Sequence, residues 1–191
     1  MNDKMKKIGV VLASVAFINL GSVAAYAEAV VGETGDTPTT VTITDATTAD
    51  LRLDAVPANY AFQTGLKEGT YSIATGTISS PGTIDVSNDR IAQAWSVKAT
   101  VANNQLTRAS AAATFAVNSF EINGVQLVGT GATGIVSKSA DTPTSSNNTG
   151  TISTPVTTIA IGFTDPSHLL QVNDVLNGTI NYQLYNTADA S

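Results

Sequence analysis

Cysteine is absent from all 191 residues, so the chain has no disulfide, thiolate nucleophile or thiolate metal ligand. Histidine occurs once, at His168, which removes multi-histidine metal sites and leaves one imidazole for acid–base chemistry. No Asp-x-Asp-x-Asp loop is present for calcium. Charged residues make up 13% of the chain, nine basic against fifteen acidic, and no two of the basic residues beyond Lys7 are adjacent. Without a basic stripe there is nothing to neutralise a nucleic-acid backbone or an anionic lipid surface. No stretch after residue 27 shows a capped 3.6-residue period, and none approaches membrane length.

What is present begins with an address. Lys4, Lys6 and Lys7 precede an apolar run from Ile8 to Ala25, and Ala25-Tyr26-Ala27 forms a small-x-small cleavage site. This reads as a signal peptide over residues 1–27, in preference to an uncleaved anchor. Its removal leaves six basic and fourteen acidic residues, a net charge of −8. Residues 28–40 (EAVVGETGDTPTT) carry no apolar period and read as a flexible leader. Residues 41–191 are then one domain.

That domain alternates. Trp95, Val97, Ala99 and Val101 share one parity and Ser96, Lys98, Thr100 and Ala102 the other, the pattern of a half-buried strand. Ile180, Tyr182 and Leu184 repeat it against Asn181 and Gln183. Val41 with Ile43, Leu51 with Leu53, Tyr60 with Phe62, Tyr71 with Ile73, and Ile84 with Val86 add further short strands, with Pro57 interrupting after the second. Ser80-Pro81-Gly82-Thr83 carries a type II turn signal. Ile122-Asn123-Gly124-Val125 is a two-residue hairpin signal that sets Ile122 opposite Val125, Glu121 opposite Gln126 and Phe120 opposite Leu127. Residues 129–150 are rich in Gly, Ser, Thr and Asn and read as a long outward loop or partly disordered insertion. The expected fold is all-β: an Ig-like antiparallel sandwich of about ten short strands.

The two aromatic-x-aliphatic triplets, Trp95-Ser96-Val97 and Tyr182-Gln183-Leu184, lie in a recognisable setting. Upstream stands a strand running into Val56-Pro57 and then Tyr60 and Phe62, and Asn88-Asp89-Arg90 precedes the first triplet. Gly178-Thr179-Ile180-Asn181 leads into the second. The ensemble resembles the WxL domain of exported proteins of Gram-positive bacteria over most of residues 41–191. Val97 replaces Leu, Tyr182 replaces Trp, and Asn88 stands where Asp is usual. The resemblance implies non-covalent attachment to the cell surface through peptidoglycan and co-assembly with other cell-surface proteins of the same gene cluster.

Trp95, Val97, Tyr182 and Leu184 lie on apolar parity, which favours core packing, with direct ligand stacking as the other reading. If they are core, the opposite face offers Tyr185, Gln183, Asn181 and Lys98 to a sugar polymer as a ring and polar groups. Arg90, with Asp89 and Asn88, is expected to anchor the motif strand, its guanidinium paired with a carbonyl or with Asp54 or Asp85.

Catalysis finds little support. Asp165, Ser167 and His168 are too close in sequence to align as a triad. Asp50 with Asp54 share a strand face about 13 Å apart, beyond the ~5 to 9.5 Å of glycosidase pairs. The expected function is non-enzymatic: a secreted cell-surface module that needs no cofactor and binds peptidoglycan or another wall polysaccharide. A structural subunit gripped by a partner protein, and a glycan hydrolase, are the alternatives.

Overall fold

Period-two alternation in the sequence becomes an all-β fold. A computed structural model of the chain describes residues 41, 42, 50–110 and 112–189. The expected signal peptide and leader, and the alternation through Ile43, lie outside them. The chain divides into two units, Met1–Thr42 and Ile43–Ser191, and the fold below is that of the second. In chain order its strands are β1 (Leu51–Ala55), β2 (Tyr60–Ala61), β3 (Gly69–Ile73), β4 (Thr77–Ile78), β5 (Thr83–Asn88), β6 (Ser96–Val101) and β7 (Gln105–Arg108). Then follow β8 (Thr114–Ile122), β9 (Val125–Gln126), β10 (Ile135–Lys138), β11 (Gly150–Pro155), β12 (Ile159–Asp165), β13 (Leu176–Asn177) and β14 (Ile180–Tyr185).

Every pairing is antiparallel. The sheets run β1-β5-β11, β10-β6-β14 and β13-β7-β8-β12-β3, with β9 beside β8 and a small β2-β4 pair. Inward residues of β5, β6, β8 and β12 meet in one core that includes Ile84, Val86, Trp95, Val97, Phe120, Ile122, Ile161 and Phe163. This is an antiparallel β-sandwich, as expected, with some predicted strands divided into shorter segments. Among the described residues the only helical element is a three-residue 3-10 turn at Ala102–Asn104, and no helix is long and apolar enough to cross a membrane.

The two triplets the sequence singled out are neighbours. β6 and β14 pair with Val97 opposite Leu184 and Ala99 opposite Tyr182. Distant stretches of chain thus build one sheet face.

A register shift between Gly162 and Phe163 sets Gly162 opposite Ser119 and Phe163 opposite Val117. The extra residue, Asn118, switches core parity along β8: Phe115 and Val117 point inward before it, Phe120 and Ile122 after it. At Gly162 a Cβ would stand 2.5 Å from Ser119 Oγ, so a larger residue would require that hydroxyl to turn away. Phe120 is thereby aimed at the site described below.

The Asn123-Gly124 hairpin forms in the expected register, with φ of 50° and 77° at its central residues. Leu127 N–H donates to Phe120 O at 2.8 Å, extending the pairing. The turn near Pro81 sits one residue earlier than expected: Gly82 N–H bonds Ser79 O, and the Ser80–Pro81 peptide is cis.

Residues 129–150 are not an outward insertion throughout. Ile135–Lys138 pairs with β6, Val136, Ser137 and Ser139 are buried, and Asn148 is fully enclosed. Polar composition concealed this because, apart from Val136, these inward side chains are satisfied by hydrogen bonds and not by apolar packing.

Candidate functional site

Beneath the first triplet lies a polar knot inside an apolar core. Trp95 is 0% exposed, and its indole N–H donates to Asn148 Oδ1 at 2.9 Å. Asn148 Nδ2 donates to Ile91 O and Gln93 O, holding the turn that leads into Trp95. Asn88 Nδ2 donates in turn to Asn148 O and Arg90 O, while Asn88 Oδ1 accepts from Arg90 N–H. An Asp at position 88 would present no amide donors to those two carbonyls, which explains the amide found there. Trp95 is therefore enclosed by the fold and offers no ring face at the surface.

The expected pairing of the Arg90 guanidinium with Asp54 or Asp85 is not seen among the described residues. Among the described residues no ion pair includes Arg90, and its Nε is buried without a partner. Asp54 is held instead by Arg52 and Ser87, which lie beside it on the same strand face and the neighbouring strand. What residues 88–90 contribute is a set of bonds between side chains and backbone: the Asn88 amide bonds Arg90 N–H and C=O, and Asp89 Oδ1 accepts from Asp50 N–H to fix the start of β1.

The outer face of the β6–β14 pair carries Asn181 opposite Thr100, Gln183 opposite Lys98 and Tyr185 opposite Ser96. Asn181, Gln183 and Tyr185 are exposed, Lys98 is half-buried and Ser96 is buried. Four candidate surface residues thus share one sheet face. Tyr182 is separated from them and looks into a groove on the opposite side.

That groove, of about 1420 Å³, lies between the segment 56–66 and the segment 170–179. Its floor is core: Tyr71, Phe120, Ile161 and Phe163. Phe62 packs edge-on against Phe120 with centroids 5.8 Å apart, and Tyr60 lies 6.1 Å from the same ring. Tyr60 Oη and Tyr182 Oη stand 2.5 Å apart. Burial and the neighbouring hydroxyl hold the Tyr182 phenol far above its ordinary pKa. Burial also raises that of Tyr60, against the opposing effect of the shared hydrogen bond. Both groups therefore stay protonated and uncharged. Polar lining comes from Asn59, Gln63, Gln171, Asn173 and Asn177.

Both walls are fastened. Tyr71 Oη donates to Lys67 O and accepts from Lys67 N–H, pinning the end of the first wall. On the second, buried Asp165 accepts the N–H groups of Leu169 and Leu170. Its burial acts to raise the carboxyl pKa, but these donors outweigh it and the net shift is downward. Arg108 ties the same segment to β7 through an ion pair with Asp174, 3.1 Å apart, and a hydrogen bond to Leu169 O. Among the described residues Asp174 is the only charged one lining the groove, and Arg108 neutralises it.

The acid–base candidates are occupied elsewhere. Asp165 caps a turn, and no hydrogen bond among the described residues joins Ser167 to His168. Arg52 bridges Asp50 and Asp54, and the Ser87 hydroxyl followed by Arg52 lowers the Asp54 pKa, opposite to the shift a general acid requires. Among the described residues no cluster of side chains could hold a metal ion.

By their alternation Tyr60 and Phe62 read only as strand residues, and Asn148 falls in the stretch 129–150 that reads as a loop. An aromatic pair directly after Val56-Pro57, where a strand must stop, was the available signal for the former. Nothing local marks Asn148.

Comparison with known proteins adds no relative: no family model, curated protein or solved structure matches the chain. The likeness to the WxL domain rests on the motifs quoted above.

Proposed function

We propose that the protein is a secreted, non-catalytic module of the bacterial cell surface that binds wall polysaccharide, peptidoglycan in particular, in the groove between segments 56–66 and 170–179. One observation supports this reading: the groove sets Tyr60, Phe62 and Tyr182 beside several amides, and among the described residues its lining has no lysine or arginine. Rings offer faces to the C–H surface of sugars, and amides and phenol hydroxyls match hydroxyl and acetamido groups. A lining whose one carboxylate, Asp174, is paired with Arg108 favours a neutral polymer over anionic polymers, in keeping with the acidic chain. The size, beyond the ~300 to 1,000 Å³ of small-molecule pockets, suits an oligomeric segment of chain.

The test is retention on purified peptidoglycan. Saturable retention of the protein is expected, weakened at least tenfold by Gln63→Ala combined with Asn173→Ala, both exposed positions whose loss leaves the core alone. Absence of retention, retention indifferent to those changes, or release of reducing ends from the polymer overturns the proposal.

A further inference from the structure

The open edge of β14 differs from the other sheet edges. β1 carries Arg52 and Asp54 and a register break after Leu53, and β10 carries Lys138 and its own break. β11 ends in Pro155, β13 has two residues, and β3 follows Lys67 and Glu68 and begins on a positive-φ glycine. Charge, bulges, proline and brevity are the means by which exposed edges avoid pairing with other chains. β14 has none of them. It is six residues long, uncharged, free of proline and in unbroken register with β6, its only strand neighbour among the described residues.

The backbone groups on that edge can be identified. Ala102 N–H donates toward β14, to Thr179 O, whereas Ala99 N–H donates away from it, to Gly134 O. Alternate residues of an antiparallel strand bond to opposite sides. In the observed register Asn181, Gln183 and Tyr185 therefore bond β6, and the N–H and C=O groups of Ile180, Tyr182 and Leu184 point to the open edge.

We infer that β14 is a self-association edge, pairing antiparallel with β14 of a second copy about a two-fold axis at Tyr182. In that register Ile180 faces the second copy's Leu184, Tyr182 faces itself, and Asn181 faces Gln183. Apolar side chains meet apolar ones, amides meet amides, and the outward backbone groups of all three residues are satisfied on both strands at once. Such an isologous contact closes after two copies. A second copy of this chain suits the edge because no charge on β14 has to be matched, although the chain as a whole is acidic. The exposed Val172 and Val175 on the segment entering β14 supply apolar area beyond the strand. The edge adjoins the proposed glycan groove, whose lining includes Val172, Val175, Ile180 and Tyr182, but the association is read without any glycan and so is tested separately from that proposal.

Sedimentation of the purified full chain over a concentration series tests it. A monomer–dimer equilibrium is expected, tightening as salt screens the net negative charge. Asn181→Glu with Gln183→Glu sets like charges across the axis and should weaken the dimer at least tenfold. Asn181→Lys with Gln183→Glu sets opposite charges there and should restore it. Hydrogen exchange of the unaltered protein provides a second readout: the amides of Ile180, Tyr182 and Leu184 slow as dimer forms, while those of Asn181 and Gln183, already bonded to β6, do not change. A protein monomeric at its highest soluble concentration, a dimer equally strong in both charge variants, or an edge that pairs only with a different protein overturns the inference.

Discussion

Trp95 and Asn148, 53 residues apart, meet in the core with the indole N–H donating to the amide oxygen at 2.9 Å. A tryptophan can be fully enclosed only if its N–H finds an acceptor, and here the acceptor comes from a segment whose composition reads as loop. Asn148→Leu removes the acceptor of the buried indole N–H and takes away the two amide hydrogen bonds that Ile91 O and Gln93 O receive. A loss of about 3 kcal/mol is expected from ~1 to 3 kcal/mol per buried unsatisfied group, less what relaxation recovers. Urea unfolding should show a lower midpoint at unchanged slope.

Trp95→Ala and Tyr185→Ala separate core from surface. The first empties a fully buried site and should cost about 3 to 5 kcal/mol. The second, at a position 37% exposed on the outer face, should shift stability by well under 1 kcal/mol. Tyr185→Ala should also leave peptidoglycan retention intact, because the proposed groove is on the other side. Loss of retention in a fully folded Tyr185→Ala protein would move the binding site to the outer face.

The Tyr60–Tyr182 pair predicts a pH dependence. Both phenols have folded pKa values raised above the ordinary 10.0, so the unfolded chain releases these protons first as pH rises. Their contribution is complete below about pH 10 and declines above it. Tyr60→Phe with Tyr182→Phe should flatten the fall in unfolding free energy above pH 10, measured by denaturant titration across pH 8 to about 11. An unchanged alkaline slope would refute the assignment.

Arg108 fastens the second groove wall from β7. Arg108→Ala should leave Asp174 without its counter-ion and release Leu169 O, so amides of residues 169–174 should exchange faster while those of β12 stay protected. Under the groove proposal, peptidoglycan retention should weaken in parallel.

Much of the fold was legible because strand period and turn chemistry are local. The parity of Trp95, Val97, Ala99 and Val101 and the Asn123-Gly124 turn each needed only a few residues to be read. Harder to read were positions where a partner distant in sequence changes a residue's meaning. Arg90 reads as an anchor to a carbonyl or to Asp54 or Asp85, yet Asp54 is occupied by Arg52, two residues away and on the same face. Asn148 looked like a loop residue and is the hub of a buried network. Tyr182 and Tyr185 belong to one alternating strand, but only the packed sheets show that the first opens on a groove and the second on a flat outer face.

By itself, then, the sequence determined which residues alternate, where the chain turns, and that no thiol, histidine cluster or basic stripe is available, since these depend on residue identity and on neighbours a few positions away. The tertiary structure alone decided that Tyr60 and Tyr182 share a hydrogen bond, that segments 56–66 and 170–179 face each other across a groove, and that β14 ends its sheet among the described residues. Those relationships arise from pairing and packing between segments tens of residues apart, and no local pattern encodes which of the possible pairings the core will bury.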